Sequence, residues 1–432
     1  MTREPVCVIG GGVAGATAAL ELAARGCTVE ILEAGRRLFD GVSTRQSHRE
    51  HLGHHYPGDP SGRTAQLCMR GALAFERRYP GFTSGERPWF NFVVSGRDDA
   101  AAPWERSSIV SPAEYRAYCE TLRALYLELS TQERDARFGP VSEFCRVLDE
   151  AEYAHLVAAD RVALAVASPE RVIRTESFVG HLQDRLRAEP AITVRTGHRV
   201  IAVEPRRTGY RLIVCEAGVQ RALDYPQVVN ATWSHAATLD EAVGRAPPPS
   251  TIRLRLITHV DLPAELAGAP SLFFTLGAFG NYTNLGRTSR SAAEAAVFYV
   301  PVCDAGSTTE RDIPDDWKAL IADGLDPARA IEVGHEVVRG LARFVPALAR
   351  ARLRETRVGT VITRGDADIW DRDSAVHHRF EAGVESLAPG WHSVNIAKLT
   401  YCVWVADAVA SAVLEHAGLD PARRVAQGAA PC

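Results

Sequence analysis

Apolar and polar positions follow several rhythms along the chain. Residues 5–34, PVCVIGGGVAGATAALELAARGCTVEILEA, open with the apolar run VCVI, which stops at glycines. A short run without a polar side suits a strand buried on both faces of a parallel sheet. AGATAALELAARG then spaces its apolar residues as a helix does, with Gly26 as the C-terminal stop. TVEIL reads as a second strand, ending at Glu33. The pattern predicts one strand–helix–strand unit.

Beyond it lies a polar loop over residues 35–66, then a helix in TAQLCMRGALAFERRY. Residues 85–165 mix aromatic, proline and helical stretches without strand–helix alternation. From residue 171 the pattern predicts an extended entry, an amphipathic helix and several strands, closing with the buried strand of QVVNATW. Alternation of apolar and polar positions over residues 250–302 (TIRLRLITHV, SLFFTL, AAVFYVPV) predicts an antiparallel sheet. Residues 327–353 read as helical. GWHSVNIAKLTYCVWVADAVASAVLEHAG reads as strand, turn and long helix with Gly418 as stop, and residues 419–432 as a frayed tail.

The first turn carries Gly10-x-Gly12-x-x-Gly15, and the spacing has a mechanical reason. Gly10 permits the tight turn, Gly12 lets the backbone approach a pyrophosphate, and Gly15 lets helix and strand pack closely. The helix N-terminus offers unpaired N–H groups to phosphate. Glu33, about twenty residues on, is placed for ribose hydroxyls and disfavours the 2′-phosphate of NADP. A nicotinamide dehydrogenase would continue with regular strand–helix units, and this chain does not.

Composition narrows the picture further. A chain of 432 residues suits two interlocked domains. A net charge of -4 gives no footprint for nucleic acid or an acidic membrane surface, and no apolar run reaches spanning length. No secretory signal is read, and nine scattered cysteines without a CxxC pair point to a reducing, cytoplasmic setting. Lys318 and Lys398 are the only lysines in an arginine-rich chain, which draws attention to each.

Three blocks, VIGGGVAGATAALELAARGCTVEILEAG, RVIAVE…VVNATW and VNIAKLTYCVWVADAVASAVLE, together resemble the FAD-dependent oxidoreductases of the D-amino-acid-oxidase-like family. The resemblance implies an α/β fold: a Rossmann-like FAD-binding domain of the glutathione-reductase type with an interleaved antiparallel-sheet substrate domain. On that basis residues 1–95, 166–245 and 355–418 are expected to bind FAD, and residues 96–165 and 246–354 to form the substrate domain. GVSTRQSHREHLGHHY resembles a family loop at Gly41, Ser43, Arg45, Ser47, His51, Gly53 and Tyr56. The family loop runs under the pyrophosphate toward the reactive edge of the flavin. Ser43, Arg45, Ser47 and Gly53 are therefore expected at the cofactor, as are Val200 and Ala231 of the second block. The third block resembles Gly-Gly-Lys-x-Thr-Thr at Lys398, Leu399 and Thr400, with Ile396 and Ala397 replacing both glycines. This turn opens a helix whose positive end would face the flavin pyrimidine ring.

Four histidines crowd into residues 48–55. Three readings stay open: metal ligation, which Gly53 disfavours by breaking any helical spacing, a solvated turn, and a loop at the flavin edge. We expect no metal. The family sometimes attaches FAD covalently through histidine or cysteine. The expected enzyme takes hydride onto flavin from a C–N or C–O bond of a small amine, amino acid or hydroxy acid. Its electrons then pass to oxygen or another acceptor. His51 or His55 is placed as the base an alcohol needs, and Lys398 near the ring as a further catalytic group. A substrate carboxylate would need a cation clamp; Arg63, Arg253, Arg287 and Arg364 are candidates, with Tyr282 of FGNYTNLG beside them. A monoamine-oxidase-like or sugar-mutase-like flavoprotein and a non-catalytic nucleotide-binding protein are the alternatives.

Overall fold

The computed structural model describes residues 4–245, 250–287, 292–303, 307–309, 313–365, 367–379 and 381–422. The chain divides into two compact units. One comprises residues 1–44, 175–249 and 381–432; the other comprises residues 45–174 and 250–380.

The first unit holds a six-stranded sheet in the order 383–388, 391–395, 228–230, 6–9, 29–33, 192–196. Five of these strands run parallel; Gly383–Ala388 alone is antiparallel, to Trp391–Asn395. The parallel strands are apolar because neither face meets water: Cys7, Val8, Ile31 and Val229 are all fully buried. Helices Val13–Ala24 and Cys402–His416 pack together, pinned by buried Arg25, which donates to Glu21, Ser411 and Asp407. A three-stranded antiparallel sheet over residues 198–225 contributes Tyr210, Leu212 and Val214 to the core around Trp391.

The second unit is built on a nine-stranded sheet in the order 307–309, 250–261, 293–299, 280–287, 271–275, 89–94, 162–168, 146–147, with Arg352–Arg364 also paired to Ser250–Asp261. All its pairings are antiparallel except Ser271–Thr275 with Trp89–Val94. One face, carrying Phe92, Leu254, Leu256, Phe274 and Val297, packs on helix Pro327–Leu341 through Val337 and Leu341. On the other face Val93 and Val166 pack on Met69 and Leu122 of helices Arg63–Arg78 and Pro112–Glu133. Elsewhere on that face strand alternation puts Arg253, Arg255 and His259 with Asn281, Thr283 and Asn91, beside Phe273 and Phe298.

Two expectations need correction. The helix expected over residues 327–353 ends at Leu341, and a strand runs from Arg352 after the turn Pro346–Arg350. Pro346 has no N–H to carry the helix on. Residues 45–95, 166–174 and 355–380, expected with the dinucleotide domain, cluster in the second unit, because Trp89–Val94, Val162–Ser168 and Arg352–Arg364 pair into its sheet. Of the expected tail, residues 423–432 lie outside the described residues. No helix among the described residues is long and apolar enough to cross a membrane.

Candidate active site

In the first unit the glycine turn sits at the carboxyl edge of the parallel sheet. Gly10 has φ 101°, and a Cβ there would come 2.7 Å from the Ala231 carbonyl oxygen. A Cβ on Gly15 would overlap the Gly10 carbonyl oxygen, so helix and strand approach as only glycine allows. Gly12 caps the helix, and its missing side chain leaves room for the Ser43 hydroxyl, which accepts the Val13 amide at 3.0 Å. Glu33 accepts from the amides of Gly11 and Gly35, both at 2.6 Å. A carboxylate has four acceptor sites, so two remain for ribose hydroxyls. Ala231 is bonded through its amide to Ile9 at 2.9 Å and forms the neighbouring wall. Gly10, Gly12, Gly15, Glu33, Ser43 and Ala231 thus come together. This cradle, which a Cβ would fill, fits a dinucleotide pyrophosphate.

The turn 396–400 follows Trp391–Asn395, two strands away from Val6–Ile9 along the same carboxyl edge. Ligands of open parallel sheets bind at this edge. Ala397 takes φ 43°, a left-handed conformation that favours glycine, and its amide donates to the Asn395 side chain at 2.9 Å. The half-buried Lys398 accepts the Tyr401 amide at 3.0 Å, opening the short turn Leu399–Tyr401 and then the final helix. Leu399 is half-buried and Thr400 is buried. Val200 lies apart from the glycine turn in sequence, in the three-stranded sheet, paired with Val214 and packed on its core.

In the second unit, residues 45–58 run across the polar sheet face. Arg45 donates to the Val358 carbonyl at 3.2 Å, and the Ser47 carbonyl accepts from Thr283 at 2.8 Å. The His48 ring meets His259 edge-on at 5.7 Å, and His259 bonds Glu294 at 2.9 Å. Gly53, at φ 109°, lies so close to Ala65 that a Cβ would come within 2.6 Å of its side chain. His51 and His55 stand edge to face at 5.5 Å, each beside Tyr56, and His55 lies 4.3 Å from the Phe273 ring. His51 is 9% exposed and His54 is fully buried, so the loop is not a solvated turn. Among the described residues no group of three or more His, Cys, Asp or Glu side chains is arranged to hold a metal.

Buried Arg253 shares the polar face with Arg255, whose guanidinium lies 4.6 Å over the Phe298 ring. Burial, with the charges of Arg255 and Arg379 nearby, pulls the Arg253 guanidinium down to about 9. That direction marks a strongly cationic patch in the same unit as His51 and His55. Arg63 and Arg287 are exposed, and the Arg364 side chain lies outside the described residues.

Tyr282 is corrected. It sits on the helix-packed face, fully buried in the apolar core, with its hydroxyl on the Leu266 carbonyl at 3.2 Å. Its neighbours Asn281 and Thr283 point to the polar face instead. Arg255 escaped the sequence reading, as did two further polar residues. Asn91 accepts from Arg49 at 2.7 Å, and its one signal was a lone polar position in WFNFVV. Glu170 is a fully buried carboxylate beneath the histidine loop, and nothing in SPERV marks it.

A family model described as FAD dependent oxidoreductase matches residues 5–384. No curated protein sequence matches the chain. Solved structures similar to it include glycine oxidase from Geobacillus kaustophilus, 16% identical with a TM-score of 0.65, covering 99% of this chain and 98% of that one. Iminodiacetate oxidase from Chelativorans sp. BNC1 is 18% identical, with a TM-score of 0.59 and 96% of each chain covered. L-alpha-glycerophosphate oxidase from Mycoplasma pneumoniae, solved with FAD bound, is 13% identical with a TM-score of 0.59, covering 96% of this chain and 95% of that one. At these identities the likeness is one of fold.

Proposed function

The chain belongs to the FAD-dependent oxidoreductase family, and from that premise we propose that it oxidises the C–N bond of a small amino acid. The observation that supports this most is the placing of Arg253 and Arg255 on one polar sheet face of the unit that carries His51, His55 and Tyr56. The cofactor is FAD, which supplies a two-electron hydride acceptor when bound. Gly10, Gly12 and the amides of helix Val13–Ala24 would hold its pyrophosphate, and Glu33 its ribose. Lys398, at the turn before the last helix, would set positive charge against the ring.

The protein's own part is binding, orientation and proton handling. Arg255 or Arg253 would pair with the substrate carboxylate, a charge-assisted contact that fixes the α-carbon. The substrate nitrogen must lose a proton so that its lone pair can form the C=N bond as hydride leaves the α-carbon, and His55 or His51 would accept that proton at a ring nitrogen. A hydroxy acid would use the same clamp and need the base more.

Anaerobic mixing with a panel of amino acids, hydroxy acids and amines lacking a carboxylate tests the reading. Amino acids should bleach the flavin, and hydroxy acids should do so more slowly. Equal bleaching by amines without a carboxylate would remove the arginines from the site.

A further inference from the structure

We infer that Glu170 is the positioning residue of the histidine loop. Its carboxylate is fully buried, and its contacts converge on one short segment. One oxygen accepts the Leu52 amide at 2.8 Å and lies 3.7 Å from Nδ1 of His54. The other accepts from Arg49 Nε at 2.9 Å and from Ser168 at 3.2 Å. Burial alone would raise this carboxyl, but the Arg49 guanidinium and its hydrogen bonds, with the His54 ring close by, outweigh it and hold it at about 2.

Two routes run from Glu170 to the rings that face substrate in the proposed function, on which this inference rests. The first is the backbone. The Leu52 amide adjoins His51, and the next two carbonyls are also tied: Gly53 accepts from Tyr118 at 2.9 Å and His54 from Tyr115 at 3.0 Å. Tyr56 closes the turn by donating its amide to Gly53 at 2.9 Å. His54 is thereby turned into the core, with Nε2 on the Phe144 carbonyl at 2.7 Å, while His51 and His55 pair outside it. The second route runs through side chains. Arg49 lies 4.4 Å from the Trp89 ring and 4.8 Å from Phe273, and Phe273 carries His55 at 4.3 Å. Neutralising or shortening Glu170 loosens both routes at once. A charge this deeply buried is costly unless its hydrogen-bonding capacity is used, and here all of its contacts but that to Ser168 fall on the loop.

The test uses the FAD-loaded enzyme with histidine-selective ring labelling. In Glu170→Gln the ring resonances of His51 and His55 should shift or broaden, and the contact between the His55 and Phe273 rings should weaken. Glu170→Asp, which keeps the charge one methylene short, should restore part of it. Flavin reduction by glycine, L-alanine and L-proline should slow at least tenfold in Glu170→Gln, and by less than twofold more when His55 is already alanine. Unchanged His51 and His55 resonances in a folded Glu170→Gln protein would overturn the inference. So would an equal slowing by Glu170→Gln with and without His55. His51→Ala and His55→Ala variants with undiminished reduction would instead sink the role given to the histidines, and the resonances would still decide that of Glu170.

Discussion

The Ser43 hydroxyl accepts the Val13 amide at 3.0 Å, so a residue 30 positions downstream caps the helix that opens behind the glycine turn. Gly12, at the cap position itself, has no side chain to do this. The arrangement fixes the first turn of the helix where phosphate is to bind. Ser43→Ala should lower stability by about 1 kcal/mol and weaken FAD binding. Denaturant unfolding and flavin titration check the two effects together. Loss of stability with unchanged FAD affinity would confine Ser43 to capping.

Gly15 and Gly41 make a matched pair. A Cβ on Gly15 would run into the Gly10 carbonyl, a backbone atom that cannot swing away, whereas one on Gly41 would meet nothing within 4 Å. Gly15→Ala should cost roughly 3 kcal/mol and yield colourless protein. Gly41→Ala should stay within about 0.5 kcal/mol of the parent and remain yellow. Purification in parallel and a melting curve are enough to tell.

Ala397 holds φ 43°, a conformation that costs an L-residue about 1–2 kcal/mol and a glycine almost nothing. The amide of the next residue, Lys398, donates back to Ile396 and keeps the turn closed. Ala397→Gly should therefore stabilise the protein by about 0.5–1 kcal/mol, less than the full strain because glycine gives up more entropy on folding. A lower melting temperature would mean that the alanine methyl packs usefully and outweighs the strain.

The dinucleotide cradle was legible because it is local. Gly10, Gly12, Gly15 and Glu33 fall within one strand–helix–strand unit, where spacing alone fixes geometry. The turn at Lys398 was legible for the same reason, as a strand running into a helix. What escaped depends on contacts remote in sequence. Arg352–Arg364 pairs with Ser250–Asp261 across about a hundred residues, and no pattern in either strand says which sheet receives it. Tyr282 was misplaced because FGNYTNLG reads as a glycine-flanked loop, whereas Gly280–Arg287 is a strand in which Tyr282 turns away from Asn281 and Thr283 into the core. Glu170 shows its role only through Arg49 and Leu52, some 120 positions away.

Acid should expose Glu170. Its carboxyl is held at about 2 in the folded protein, below the value near 4.3 of an unfolded glutamate. A depressed carboxyl stabilises the fold above the unfolded value and loses that contribution as pH falls through the folded one. The window is therefore about pH 4.5 to 2, and the contribution roughly 3 kcal/mol. Urea unfolding of the parent and of Glu170→Gln should differ most above pH 5 and converge toward pH 2. A constant gap across that range would mean that the carboxylate titrates alike in both states.

Lys398 and Lys318 are the only lysines in the chain, and they should behave oppositely. Lys318 is exposed and paired with Asp315 at 2.9 Å within one helical turn, a contact worth little in water. Lys398 is half-buried at the carboxyl edge of the parallel sheet, immediately before the short turn that starts the last helix. Reduced flavin gathers negative charge on its pyrimidine side. An ammonium and a helix N-terminus near that charge both favour reduction. The ammonium's share is roughly 1–3 kcal/mol, which for a two-electron couple is roughly 20–60 mV. Lys398→Met should lower the flavin potential by that amount and slow reduction by about one to two orders of magnitude, with the yellow colour kept. Lys318→Met should change neither quantity. Dye-equilibrated potentiometry separates the two without any substrate, and equal potentials in both variants would place the Lys398 ammonium away from the ring.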